Sequence, residues 1–170
     1  MAYKEIGSHQ GMTPLRVAVV RQTRNACAPA TMRMALARYR VHVPERELKR
    51  GMRWNRRDGV WDSKQMLNAL PPGMAGWKMD PSSLHDIAAQ LRLHRSVMVN
   101  WMKGRLGHLS LVVHLDRQNI YLADPEERKI VGMQRGEFVQ RWMGVRGNVI
   151  RSPKDIVRRR MLVVYPIPKK

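Results

Sequence analysis

A chain of 170 residues that is 44% apolar has the material for one domain with a real core, which excludes wholesale disorder. One cysteine excludes an intramolecular disulfide framework and a multi-thiolate zinc site. Thirty-two Lys and Arg against 13 Asp and Glu, a formal charge of +19, exceed what solubility requires and point to a polyanionic partner such as nucleic acid.

The sequence has neither a secretory core near its start nor an apolar run of about 18 residues, so no signal peptide and no membrane span are expected. An intracellular location, or one inside a virus or nucleoprotein particle, follows as the expectation. Residues 1–14 read as a flexible lead-in, 15–165 as a single domain and 166–170 as a basic tail. Oligomeric state leaves no trace in the sequence.

In chain order, "LRVAVV" (15–20) suggests a short strand. A helix should begin near Cys27, with Asn25 as its N-cap and Pro29 tolerated in the first turn. Met32, Ala35, Leu36 and Tyr39 carry the spacing of a buried helical face. "PERELK" (44–49) reads as a short helix, and "RWNRRDGVW" (53–61) as a loop rich in arginine and tryptophan. Asp62 opens a helix over "DSKQMLNAL" (62–70), stopped by Pro71, Pro72 and Gly73. "SSLHDIAAQLRL" (82–93) has a capping box from Ser83 to Asp86 and an apolar face of Leu84, Ile87, Ala88 and Leu91.

Beyond residue 95 the residue types change. "SVMVNW" (96–101), "HLSLVVHL" (108–115), "NIYLA" (119–123) and "MLVVY" (161–165) are short and β-branched or aromatic, as strands are. "DRQN" (116–119) fits a hairpin turn, and "GEFVQRWMG" (136–144) is a helix between strands. Helices first and strands later predict an α+β domain.

Cys27 is a candidate nucleophile because thiolates are favoured where a helix starts. Taken alone, a cysteine near a helix start is more often a small buried hydrophobe than a catalyst. Nucleophilic chemistry also needs a base, a group that orients the base and donors for the oxyanion. Of the histidines, His9 lies in the lead-in, His42 in a turn, and His85 and His94 on or beside a surface helix. His108 follows Gly107 and opens an apolar strand, whereas His114 lies deep within it. Asp124, in "LADP", ends the next strand where it can stand beside His108, although Asp-Pro also ends strands as a simple turn. Gln22 is placed to aim a side-chain amide at the oxyanion.

These segments together resemble the C39 group of papain-like peptidases, which includes the bacteriocin-leader peptidases and their standalone relatives. The resemblance rests on "QTRNACAPATMRMAL", "DGVWDSKQMLNAL", "GHLSLVVHLDRQNIYLADP" and "GEFVQRWMG", in that order from about residue 15 to 145. It implies a papain-like fold with Cys27 at the head of a central helix packed on an antiparallel sheet. It further implies His108 and Asp124 as triad partners, Gln22 at the oxyanion hole, a peptide or protein substrate and cleavage after small residues such as glycine. Ala28 stands where the family usually has glycine, and a methyl group there would narrow the cleft if it faced the substrate. No metal or organic cofactor is indicated by any motif. The charge and the 53–61 loop keep a rival open: a papain-like scaffold acting as a basic structural or nucleic-acid-binding component of a larger assembly such as a virus particle.

Overall fold

The computed structural model describes residues 14–145 and 152–168. The remainder, including His9 and most of the expected lead-in, lies outside the described residues. Helix α1 (Cys27–Ala37) is followed by α2 (Glu45–Gly51), α3 (Ser63–Asn68), strand β1 (Met74–Met79) and α4 (Leu84–Arg92). Strands β2 (Ser96–Lys103), β3 (Leu106–Leu115), β4 (Asn119–Asp124) and β5 (Lys129–Gln134) come next, then α5 (Arg135–Arg141). The described chain closes with β6 (Met143–Val145), β7 (Ile156–Arg158) and β8 (Met161–Pro166).

Six strands form one antiparallel sheet in the order β1-β8-β2-β3-β4-β5, while β6 and β7 pair separately. Alternation along the strands feeds two cores. Met98, Leu109, Leu111 and Leu162 face a cluster with Met32, Met34 and Leu36 of α1, Leu48 of α2 and Met66 of α3. On the other face, Val97, Val99, Trp101, Val112 and Val163 pack with Ile87 and Leu91 of α4 and Phe138 of α5. The α+β class expected from the sequence is the one observed, with helices on both faces of a single sheet.

Local chemistry accounts for several boundaries. Asp62 accepts from the Lys64 amide at 2.9 Å and starts α3. Ser83 and Asp86 form the capping box of α4. Asp116 accepts from the Gln118 and Asn119 amides at 2.8 and 2.7 Å and closes the β3–β4 turn.

Three expectations need correction. The N-cap of α1 is Ala26, without a side-chain bond, because Asn25 sits at φ 54° and sends its amide elsewhere. Residues 15–20 form no strand. Both edges of β3 are taken by β2 and β4, and only a bulge between Val112 and His114 leaves the Val113 carbonyl to accept from Leu15 at 2.9 Å. Strands β1 and β5 escape sequence reading because they are the sheet's two edges and lack clean alternation.

Helix α1 carries the first core. Leu36→Ala, which deletes a side chain with no exposed surface, is expected to cost about 2–5 kcal/mol, read as a lower urea midpoint at unchanged slope.

Candidate active site

Cys27 is the first residue of α1 and is partly exposed. One turn later, the buried Thr31 hydroxyl donates to the Leu109 carbonyl at 3.0 Å, pinning the helix to the residue after His108. His108 and Asp124 lie on neighbouring strands, diagonal to one another in the β3–β4 register. His108 Nε2 meets Asp124 Oδ1 at 2.8 Å. The Cys27 sulfur is close enough to the ring to act on its charge and favour the protonated imidazole. The edge of the His108 ring meets Trp101 at 5.7 Å between centroids, and the Trp101 indole is held by Ser110 at 3.0 Å.

Electrostatics follow from these contacts. Burial pulls the His108 pKa down, but the Asp124 hydrogen bond and the Cys27 sulfur outweigh it and raise it from 6.5 to about 9. Asp124 has no exposed surface. Burial works against its charge, yet the His108 and Lys103 contacts hold its carboxyl well below the usual range. Oδ1 also accepts from the Glu126 amide at 2.8 Å and the Glu127 amide at 3.3 Å. The Asp-Pro turn and the histidine partner are therefore the same carboxylate.

Lys103, at the end of β2, was not visible as a site residue in the sequence. Its Nζ lies 3.1 Å from Asp124 Oδ2, 2.7 Å from Glu126 and 2.8 Å from Glu127, and these carboxylates raise its pKa against the effect of burial. The two glutamates directly after "LADP" were the available signal. His108, Asp124 and Glu126 also have ligand atoms within 4.8 Å of one another, as a metal site would. The cation among them is the chain's own ammonium group.

The segment before Cys27 is fixed from two sides. The Gln22 amide donates to the Pro125 carbonyl at 2.9 Å, tying it to the turn that follows Asp124. Gln22 Oε1 is buried and has no partner among the described residues. Asn25 Nδ2 donates to the carbonyls of Arg56 and Arg57 at 3.0 and 3.1 Å, and the Trp54 indole donates to the Asn25 carbonyl at 2.8 Å. Trp54 thus serves as a strut of the loop that leads into Cys27. Ala28 is 1% exposed within the first core, so its methyl packs inward and does not line an open cleft.

The other histidines stand apart. His42, His85 and His94 are exposed. His114 is buried beside Tyr121, and burial pushes its imidazole pKa down.

A partly exposed cysteine heading a helix, set against a His–Asp pair on an antiparallel sheet, is the arrangement of papain-like cysteine peptidases. Residues 14–149 match the Peptidase_C39 like family, and the chain belongs to that family. The peptidase domain of Streptococcus ComA, a bi-functional ABC transporter involved in quorum sensing, superposes with a TM-score of 0.65 at 16% identity, over 91% of this chain and 99% of that one. A double glycine motif protease from an AMS/PCAT transporter, in complex with its leader peptide, gives 0.65 at 18% identity over 91% and 94%. A C39-like peptidase from Bacillus anthracis gives 0.65 at 11% identity over 91% and 100%. No curated protein matches the chain in sequence.

Gly59, at φ +68°, touches the same loop before Cys27: a Cβ there would lie 2.7 Å from the Asn25 carbonyl oxygen. Gly59→Ala is expected to destabilise the fold by about 1–3 kcal/mol and to displace Asn25. The checks are thermal denaturation and the rate of Cys27 alkylation in the folded variant, which should change.

Proposed function

We propose that this protein is a cysteine endopeptidase in which Cys27, His108 and Asp124 act as nucleophile, acid–base and orienting carboxylate. The carrying observation is the 2.8 Å contact between His108 and a fully buried, anionic Asp124, on a ring whose charge the Cys27 sulfur at the head of α1 also favours. Cys27 Sγ, its proton transferred to His108, attacks the scissile carbonyl carbon. The imidazolium then donates that proton to the departing amine, leaving a thioester. Water, deprotonated by His108, hydrolyses the thioester and restores the thiol–imidazole pair.

The developing oxyanion needs donors. The Cys27 amide, at the uncapped start of α1, is one, and the Gln22 side-chain amide, five residues before it and with an oxygen that has no partner among the described residues, is the other. Lys103 keeps Asp124 charged and occupies its second oxygen, so that Oδ1 faces His108. Cleavage after small residues such as glycine is supported by the similarity to a protease described as acting on a double glycine motif. No helix of the described residues is long and apolar enough to cross a membrane.

A thiol-directed peptidyl probe tests the nucleophile. Cys27 should label at neutral pH, and His108→Ala should slow labelling at least about tenfold while circular dichroism stays unchanged. Equal labelling of a folded His108→Ala protein would sink the triad.

The pH profile tests the acid. A pKa raised to about 9 means that the proton needed by the leaving amine is present at neutral pH and lost as pH rises through about 9. kcat/KM should therefore fall on an alkaline limb near that value. The same linkage makes the His108 contribution to stability complete below about pH 6.5 and absent once pH has passed about 9. Asp124→Asn removes the charge that raises the pKa. It should move the limb to lower pH and reduce kcat/KM by about 10²–10⁴.

A further inference from the structure

The net charge has no role in the chemistry described so far, but part of it has a definite address. Arg21 and Arg24 lie on the segment leading into Cys27, and Arg53, Arg56 and Arg57 lie on the loop bonded to that segment through Asn25 and Trp54. All five are exposed. Residues 14–25 contain no acidic residue, and residues 53–61 contain only Asp58. Among the described residues, only Arg57 of the five has a carboxylate within ion-pair distance, a loose contact to Asp58 at 3.8 Å on a guanidinium that is 91% exposed. Two other nearby acids, Glu45 and Asp62, are engaged within the fold. Glu45 is held by Lys49 at 2.7 Å and by Thr23 at 3.0 Å, and Asp62 caps α3.

The acids of the turn after Asp124 are likewise engaged within the fold: Glu126 and Glu127 gather around Lys103, and Glu127 also lies 3.4 Å from Lys129. A ligand with an acidic segment is therefore drawn to the arginine-bearing loops beside Cys27.

We propose that the Arg21, Arg24, Arg53, Arg56 and Arg57 surface receives acidic side chains of the peptide substrate, making acidity on one side of the scissile bond a specificity determinant. This rests on the endopeptidase reading above. The location favours a peptide over nucleic acid as the ligand. The arginines are carried by the two loops bonded to one another just ahead of Cys27, so a ligand held there is held beside the segment that ends in the cysteine, as a peptide substrate has to be. Guanidinium groups also match carboxylates in bidentate geometry.

The experiment uses the full chain and paired fluorogenic peptides that share a Gly-Gly cleavage site and differ only in three Glu or three Gln residues, placed on either side of it. At low salt the Glu peptide with acidity on the preferred side should show roughly tenfold higher kcat/KM than its Gln partner, the sum of a few exposed ion pairs. The advantage should shrink with added salt. In Arg24→Gln/Arg56→Gln/Arg57→Gln it should vanish while the Gln peptide is cut at the unchanged rate. Equal cleavage of Glu and Gln peptides by the parent chain overturns the inference and leaves the endopeptidase reading intact. If no peptide is cut, the endopeptidase reading fails, and binding to Cys27→Ala decides the surface. Fluorescence anisotropy should then show the Glu peptide binding more tightly than the Gln peptide, with the difference lost in the triple variant. A single-stranded oligonucleotide of equal charge that binds more tightly than the Glu peptide, and loses that affinity in the same variant, overturns the inference in favour of a nucleic-acid surface.

Discussion

The site depends on keeping one charge where water cannot reach it. Asp124 has no exposed surface, and an isolated carboxylate in such a place would neutralise itself or open the fold. It stays ionised because His108, Lys103 and the amides of Glu126 and Glu127 all direct hydrogen bonds at it. Those donors come from β2, β3 and the turn after β4, so the carboxylate also ties three segments of the sheet end together. The basicity of His108 follows from the same bond, since an imidazolium beside a permanent carboxylate keeps its proton well past neutrality.

Cys27 is held by a separate set of bonds. Helix α1 is anchored by Thr31 to β3 and by its apolar face to the first core. The residues just before it hang between the Pro125 carbonyl on one side and the 53–59 loop on the other. Asn25 gives up the capping role its side chain suits and uses both donor hydrogens to bind that loop. The helix therefore begins with no side chain competing for its first amides.

Ala28 shows how a sequence-level concern is resolved by packing. Beside a nucleophile, a methyl group in place of the usual glycine raises the question of a blocked cleft. On a helix, however, successive residues point about a hundred degrees apart. With Cys27 on the open side, Ala28 turns into the core among the side chains beneath α1. The tryptophan of the arginine-rich loop is similar. Trp54 is interleaved with cations as a stacking platform would be, yet its indole is spent on the Asn25 carbonyl with Lys49 over its face.

By itself, the sequence determined the features that need only local chemistry. These were the apolar face of α1, the Asp62 cap, the Ser83–Asp86 box, the Asp116 turn and the strands β2, β3, β4 and β8. Motif order further singled out Cys27, His108, Asp124 and Gln22, because a nucleophile at a helix start and an imidazole at a strand start are positions that local rules can recognise. Tertiary structure decided what depends on contacts between distant segments. The edge strands β1 and β5 exist because β8 and β4 offer them hydrogen bonds, while residues 15–20 stay irregular because β3 has no free edge left. Lys103 is one lysine among many basic residues until the β2–β3–β4 register brings its ammonium to Asp124. A side chain's type limits which bonds it can form, but only the fold sets which partner lies within three ångströms of it.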